Sequence, residues 1–195
     1  MSHSHLATVI SIAAPPGGGK TTLSRMISAR LPNATILHFD DYETFTARNA
    51  AEIEAWVGRG APFADITAPK FGDDLAKLRA GGASYVVVDA PIGRAYPATA
   101  AMIDFLIFID TPLDVALARV IKAQAARAAQ AGLPAAQGFV TWLENYLDGY
   151  TRFTRRIYGI QRARVMPQAD VILDGTLAPE QLVELAAAAI AERGQ

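Results

Sequence analysis

The segment Ala14–Thr22 has the sequence APPGGGKTT and decides the fold of this chain. It follows the apolar, β-branched run Thr8–Ala13, which predicts a buried strand, and it leads into the helical pattern of Thr21–Leu31. A glycine-rich loop between a strand and a helix is the setting of a phosphate-binding P-loop, and a glycine-rich turn without a ligand is the alternative. Ala14 stands where the GxxxxGK[ST] pattern begins with glycine, but this position lies outside the cradle of N–H groups. We therefore expect the loop to bind phosphate.

The loop residues have distinct predicted roles. Backbone N–H groups of residues 17–21 can converge on a phosphate, and the positive end of the following helix adds to their field. Lys20 is expected to bridge the β- and γ-phosphates, and the Thr21 hydroxyl is expected to bind Mg²⁺, so ATP and Mg²⁺ are the predicted cofactors. The predicted nucleotide-binding residues of the loop are Pro16, Gly17, Gly18, Gly19, Lys20, Thr21 and Thr22.

The composition indicates a single folded domain over residues 1–195. Hydrophobic residues make up 51% of the chain and charged residues 19%, which excludes disorder as the default state. Eighteen basic and nineteen acidic residues leave a net charge of −1, so we expect no nucleic-acid partner and no membrane partner. The chain has no cysteine, which excludes disulfides, zinc–thiolate sites and cysteine nucleophiles.

The first apolar run has some features of a targeting segment. Leu6–Ala14 is apolar enough to imitate the core of a signal peptide, but no Lys or Arg precedes it and the glycine loop follows at once. No apolar run reaches the length of about 18 residues that a membrane-spanning helix needs. We therefore predict a cytoplasmic protein, as a monomer or a homodimer.

Strand-like and helix-like segments alternate along the chain. This alternation predicts an α/β fold, a five-stranded parallel sheet with helices on both faces. Together with the glycine loop, it matches the three-layer sandwich of P-loop NTPases, and the resemblance described below implies the nucleoside/nucleotide-kinase kind of that fold. Acids follow several of the strands, and in such sheets ligands bind beyond the carboxyl ends of the strands, although Asp is also a common turn and cap residue. The predicted strands are Thr8–Ala13, Thr35–Phe39, Tyr85–Val88, Phe105–Ile109 and Val171–Leu173, and the acids are Asp40, Asp89 and Asp110.

Two long helices are predicted after the fourth strand. The first begins at Pro112 and ends near Ala131, where Gly132, Leu133 and Pro134 break the pattern. The second covers residues 139–157, and the aromatic residues at helical spacing along it indicate core packing. The alanine-rich hairpin, approximately 119–138, is predicted to be a mobile lid.

The accessory motifs favour a kinase over other P-loop proteins. The Asn-Lys-x-Asp motif of GTPase switches is missing, since the nearest candidate segment, 145–148, has no lysine. An Asp pair directly after the second strand and a basic helical hairpin after the fourth suit phosphoryl transfer to a small hydroxyl acceptor. We expect an ATP-dependent small-molecule kinase, with a non-catalytic nucleotide-binding regulator as the alternative.

Three stretches resemble the uridine kinase/nicotinamide riboside kinase (phosphoribulokinase/uridine kinase) family. They are GKTTL at 19–23 with LPN at 31–33 and DDY at 40–42, DTPLD at 110–114 with LAR at 117–119, and LDGT at 173–176. The resemblance is dense over the first 42 residues and thin between 47 and 83. It implies phosphorylation of the 5′-hydroxyl of a nucleoside.

The resemblance also implies roles for single residues. Asp40 matches the aspartate that activates the acceptor, and Arg119 matches a lid arginine on the nucleotide phosphates, with Lys122 nearby as a further cation. Asp89 matches an acid that holds Mg²⁺ through water. Asp65 is the candidate for the aspartate that grips the ribose, with a solvated loop residue as the alternative.

Further acceptor contacts are expected beyond the second and third strands. Tyr42, Arg94 and Tyr96 are candidates there, and an arginine on a substrate phosphate would instead indicate a nucleoside monophosphate kinase. A surface role for Arg94 is the alternative. Sugars and pantothenate-like alcohols also remain open as acceptors. Trp56, Phe63 and Phe71 could stack on a base or simply pack in the core.

Overall fold

A computed structural model describes residues 6–193 of the chain. Its centre is a parallel sheet with the strand order β2-β3-β1-β4-β5. The strands are β1 (Thr8–Ala13), β2 (Ala34–His38), β3 (Tyr85–Asp89), β4 (Phe105–Asp110) and β5 (Val171–Asp174). The predicted five-stranded parallel sheet is confirmed. Since all strands run the same way, the carboxyl ends of β1, β2 and β3 meet at one edge.

Helices cover both faces of the sheet. They are α1 (Lys20–Arg30), α2 (Ala50–Gly58), α3 (Phe71–Ala80), α4 (Leu113–Ala131), α5 (Leu133–Gly149), α6 (Arg155–Val165) and α7 (Pro179–Arg193). Alternate side chains of β1 belong to two separate cores: Val9 packs in the core that includes residues of α2, α3 and α6, and Ile10 packs in the core with α1 and α7. The three-layer arrangement is therefore as the sequence predicted.

The second of the two long helices is longer than expected. It begins at Leu133 instead of residue 139 and continues through a π-helical turn, Tyr150–Thr154, into α6. Only Gly132, with a φ of +89°, separates α4 from α5, because Pro134 falls in the first turn of a helix, where proline is tolerated. The lid role of residues 119–138 stays a prediction. Among residues 6–193, no helix has the length and apolar character needed to cross a membrane.

Candidate active site

The glycine loop joins β1 to α1 in the conformation that a phosphate cradle needs. Gly17 and Gly19 have φ values of +78° and +96°, a region that favours glycine. Gly19 is the N-cap of α1 and has no side-chain oxygen to occupy the free N–H groups of the first turn. Those groups and the positive end of the helix are therefore left to bind an anion.

The loop is braced from below by its own residues and by the start of α4. The Gly18 N–H donates to the carbonyl oxygen of Pro15 at 2.8 Å, and the Thr111 hydroxyl donates to the carbonyl oxygen of Gly18 at 3.1 Å. A Cβ on Gly17 would lie 2.2 Å from the carbonyl oxygen of Ala116 in α4. The loop thus needs glycine both for its backbone angles and for its close packing on α4.

Lys20, Thr21 and Asp89 form a hydrogen-bonded cluster at the end of the loop. The ammonium of Lys20 donates to Oδ1 of the buried Asp89 at 2.5 Å, and the Thr21 hydroxyl donates to Oδ2 at 2.7 Å. His38 on β2 places its Nδ1 3.0 Å from the same Oδ2. Burial opposes ionisation of Asp89, but the charge and hydrogen bonds around it outweigh burial and hold its pKa below the usual value. Sequence reasoning missed His38, which no motif marks.

Asp40 faces this cluster from a 3₁₀ turn, Phe39–Asp41, directly after β2. Its Oδ2 lies 3.9 Å from Nζ of Lys20, and its carboxylate lines the cavity above the loop. Partial loss of hydration raises the pKa of Asp40, and the negative charges of nearby acids, Asp89 first among them, act in the same direction against the opposing charge of Lys20. A carboxylate that binds protons more readily than usual can serve as a general base.

A cavity of about 780 Å³ extends from the loop towards α4 and α7. Arg119 lines it and donates from Nη1 to the carbonyl oxygen of Gly175 at 2.9 Å. Lys122 is exposed and does not line the cavity, whereas Arg127, five residues further along α4, does. The apolar side chains of Leu177 and Leu182 also line the cavity. The cavity has the size of a nucleotide site, with cations on one side and apolar surface on the other.

A second cavity of about 560 Å³ adjoins the first. Pro16, Asp40 and Pro91 line both cavities, so the Asp40 carboxylate lies on their common wall. Three residues of α2 and six of the helix through the π turn line the second cavity, and the loops after β1, β2, α2 and β3 supply the other eleven. Its aromatic lining residues are Phe39, Phe45, Trp56, Phe63, Tyr146, Phe153 and Tyr158.

The sequence predicted only part of this second cavity. Trp56 and Phe63, for which base stacking and core packing were both open, are buried and line the cavity. Phe71 packs edge-on against Phe39 in the core, with ring centroids 5.0 Å apart. Among the aromatic residues of the long helix, for which core packing is predicted, Tyr150 is buried and Phe153 packs against the core, while Tyr146 and Phe153 also line the cavity. Helical spacing revealed an apolar face without showing what it covers.

Arg94 does not face the acceptor side, contrary to the prediction. Its guanidinium donates to the carbonyl oxygens of Gln168 at 2.8 Å and Asp104 at 3.0 Å, and it pairs with Asp170 at 2.7 Å. Asp104 and Asp170 precede β4 and β5, at the opposite edge of the sheet from the loop. The arginine therefore holds the chain after β3 to the amino ends of two strands.

Three other predicted acceptor contacts also lie outside the two cavities. Tyr96 is buried and packs edge-on against Phe39, with centroids 5.3 Å apart. Tyr42 donates from its hydroxyl to Asp74 at 3.2 Å. Asp65 pairs with Arg59 at 3.1 Å, which matches the alternative of a surface loop residue. The ribose-gripping role implied for Asp65 has no support in its position.

Asp110, the third strand-end acid, is also held by a partner. Its carboxylate accepts two hydrogen bonds at 2.8 Å from the guanidinium of Arg162, which keeps its pKa below the usual value. It does not line the first cavity. Of the three acids, Asp40 and Asp89 alone adjoin the loop lysine.

The residues around the loop fit a magnesium ion of the kind that accompanies nucleotide phosphates. Residues 6–193 contain no group of three or more His, Asp and Glu side chains that could enclose a metal by themselves. Mg²⁺ in phosphate-transfer sites needs only one or two protein ligands, with water and phosphate oxygens as the others. The Thr21 hydroxyl and the Asp89 carboxylate, 2.7 Å apart, supply such a pair.

Comparison with solved structures identifies the fold. A sugar kinase from Janibacter sp. HTCC2649 is 20% identical with a TM-score of 0.53, and the match covers 95% of each chain. A possible uridine kinase from Bacillus stearothermophilus is 12% identical with a TM-score of 0.56, over 86% of this chain and 89% of that one. A candidate fructose transport system kinase from Silicibacter sp. TM1040 is 17% identical with a TM-score of 0.53, over 88% and 92%. No protein-family profile and no curated protein sequence matches the chain. The chain has the fold of P-loop kinases.

Proposed function

We propose that this protein is an ATP- and Mg²⁺-dependent small-molecule kinase that transfers the γ-phosphoryl group to a hydroxyl, with the 5′-hydroxyl of a nucleoside as the first acceptor to test. The observation that carries the proposal is the position of Asp40. Its carboxylate lies on the wall common to both cavities, 3.9 Å from the ammonium of Lys20. One cavity then holds the nucleotide and the other the acceptor.

The loop and the lid cations bind the nucleotide. The N–H groups at the start of α1 hold the β-phosphate, and Lys20 leaves Asp89 to bridge the β- and γ-phosphates. Arg119 and Arg127 face the same cavity and neutralise charge on the phosphates. Thr21 and Asp89 would hold Mg²⁺, which supplies further charge neutralisation when bound.

Asp40 performs the proton transfer. Its carboxylate accepts the proton of the acceptor hydroxyl as that oxygen attacks the γ-phosphorus. The bond between the γ-phosphorus and the bridging oxygen breaks, and ADP carries away the electron pair. The raised pKa of Asp40 makes it a better proton acceptor than an ordinary aspartate.

Release of ADP in a coupled assay tests the proposal, with nucleosides, free sugars and nucleoside monophosphates as acceptors. Lys20→Ala should lower the rate by about 10²–10³, because it removes a fixed cation from the transferred phosphate. Arg25→Ala is the matched control, since Arg25 is exposed on the same helix and lines neither cavity. Nucleotide binding without ADP release for every acceptor would favour a regulator over an enzyme.

A further inference from the structure

The cavity beyond Asp40 is an apolar pocket between two walls. Ile53 and Trp56 of α2 form part of one wall, and Phe153 and Ile157, from the π turn and α6, form part of the other. The indole N–H of Trp56 donates to the carbonyl oxygen of Pro62 at 3.1 Å, so its one polar atom is already bonded within the protein. These walls offer surface for contact and few groups for hydrogen bonding.

Several polar side chains around the pocket are engaged by the protein itself. The amide of Gln161 donates to the carbonyl oxygens of Ala14, at 3.1 Å, and of Pro91. Glu43 accepts hydrogen bonds from the backbone N–H and the hydroxyl of Thr46. The Arg48 guanidinium lies 4.3 Å from the centre of the Phe45 ring, a cation–π contact that does not use its N–H donors.

Such a pocket discriminates against ligands with many hydroxyl groups. A hydroxyl that loses water and gains no partner weakens binding by roughly 5- to 150-fold. A free hexose or ribose carries several such groups, whereas an aromatic ring loses little hydration and gains contact with aromatic walls. The pocket therefore favours a flat apolar body, with a hydroxyl directed at Asp40.

We propose that the acceptor is an alcohol recognised through an aromatic or otherwise apolar body, and that the site reads neither the vicinal hydroxyls of a ribose nor the polyol of a free sugar. This inference rests on the proposed function for the identity of the pocket as the acceptor site. The position of Asp65 supports it, since that carboxylate pairs with Arg59 and does not line the pocket.

Fluorescence of Trp56 reports occupancy of the pocket without any turnover. The chain has two tryptophans, and Trp142→Phe leaves Trp56 as the only one. Trp142 stacks on Phe139 and Tyr146 and does not line the pocket, so a phenylalanine there keeps the stack. The probes are uridine, 2′,3′-dideoxyuridine, 2-phenylethanol, D-ribose and D-fructose, each titrated in the presence of an ATP analogue.

We expect the Kd of 2′,3′-dideoxyuridine to be within about threefold of that of uridine, or 2-phenylethanol to bind where uridine does not. Neither sugar should change the fluorescence. A loss of about 50-fold or more on removal of the two ribose hydroxyls would overturn the inference. Binding of either sugar would overturn it as well, and so would a pocket that binds none of the probes. Binding without ADP release contradicts the proposed kinase but leaves intact the preference of the pocket for an apolar body, which separates the two failures.

Two substitutions in the pocket sharpen the test. Thr154→Val removes a hydroxyl from the wall at nearly constant volume, and the affinity for the bound aromatic probe should stay within about twofold. Ile66→Thr introduces a hydroxyl and removes apolar surface, and the affinity for the same probe should fall about tenfold. Reversal of this order would show that the pocket recognises hydroxyl groups.

Discussion

The ammonium of Lys20 and the carboxylate of Asp89 form a buried ion pair, with 2.5 Å between Nζ and Oδ1. The pair exists because β1 and β3 are neighbours in the sheet, so the loop after β1 and the acid at the end of β3 meet at one edge. Under the proposed function this ion pair breaks when the nucleotide binds, because Lys20 then turns from the carboxylate to the phosphates.

Removal of the Asp89 charge should destabilise the protein and weaken the pH dependence of its stability. Asp89→Asn removes the nearer of the two carboxylates beside the buried Lys20 and leaves Asp40 at 3.9 Å, so the variant should lose up to about 3–5 kcal/mol of stability. Because the folded pKa of Asp89 is lowered, its stabilising contribution is complete above the unfolded pKa of about 3.9 and is lost as the pH falls through the folded value. Urea denaturation from neutral to acidic pH measures both effects.

Asp41→Asn is the control for this substitution, because Asp41 is exposed and lines neither cavity. Its stability should stay within about 0.5 kcal/mol of the original protein at neutral pH. Equal stability and equal pH dependence for Asp89→Asn and Asp41→Asn would mean that the ion pair is not important for the folded state.

Replacement of Asp40 should remove the chemical step and leave nucleotide binding intact. Asp40→Asn is nearly isosteric and should lower kcat by about 10²–10⁴. The pKa of Asp40 is raised above the usual aspartate value of about 3.9. As the pH is lowered, kcat/KM of the unaltered protein should therefore begin to fall at a pH above that value. Asp40→Asn should not show this acidic fall in kcat/KM. A pH–rate profile and the affinity for an ATP analogue are the measurements. An active Asp40→Asn beside an inactive but folded Asp41→Asn would move the base to the neighbouring residue.

Of the cations on α4, Arg127 should contribute to the affinity for nucleotide and Lys122 should not. Arg127 lines the nucleotide cavity, and its loss removes a cation from phosphate or base, so the Kd of an ATP analogue should rise about tenfold. Lys122 is exposed beside the cavity, and Lys122→Ala should leave the Kd unchanged. Titration calorimetry at low and high salt compares the two. A larger effect of Lys122→Ala would restore the cation that the sequence first suggested.

Two glycine-to-alanine substitutions should have opposite effects on stability. In Gly17→Ala the new Cβ would lie 2.2 Å from the Ala116 carbonyl oxygen at a φ of +78°, so the variant should lose about 2 kcal/mol or more, together with nucleotide affinity. Gly159 lies inside α6 with open space around its Cα, and Gly159→Ala should gain about 0.5–1 kcal/mol. Thermal denaturation of both variants checks the signs. A stable Gly17→Ala that binds nucleotide would exclude the close packing of loop and helix.

The nucleotide side of the site could be predicted from the sequence because it is local. Gly17, Lys20 and Thr21 belong to one short segment whose spacing fixes its geometry, and the buried strands follow from apolar runs of strand length. Asp40 could be singled out from its position directly after β2, where the 3₁₀ turn Phe39–Asp41 holds its carboxylate 3.9 Å from the ammonium of Lys20.

The acceptor side depends on residues far apart in the chain. Trp56 and Phe153 line the same pocket although 97 positions separate them, and no local pattern reports such a contact. Arg94 is close to the carboxyl end of β3 in sequence but lies far from the glycine loop in space. Its guanidinium binds Gln168 and Asp170, at the amino ends of the strands. A single sequence has no means to tell an apolar helix face in the core from one that lines a pocket.

The close approach of Gly17 to Ala116 divides α4 into two parts, a first part held by the glycine loop and a second part beyond it. The first turns of α4 pack closely against the glycine loop. A conformational change of the helix therefore has to leave these turns in place. The α4 residues nearest to Gly17 are Ala116 and Val120, and residues from about the middle of the helix onward are not among them. The distal hairpin is therefore a modular unit, which could be transplanted from another kinase with the same fold at a junction beyond Val120 without reshaping the anion cradle.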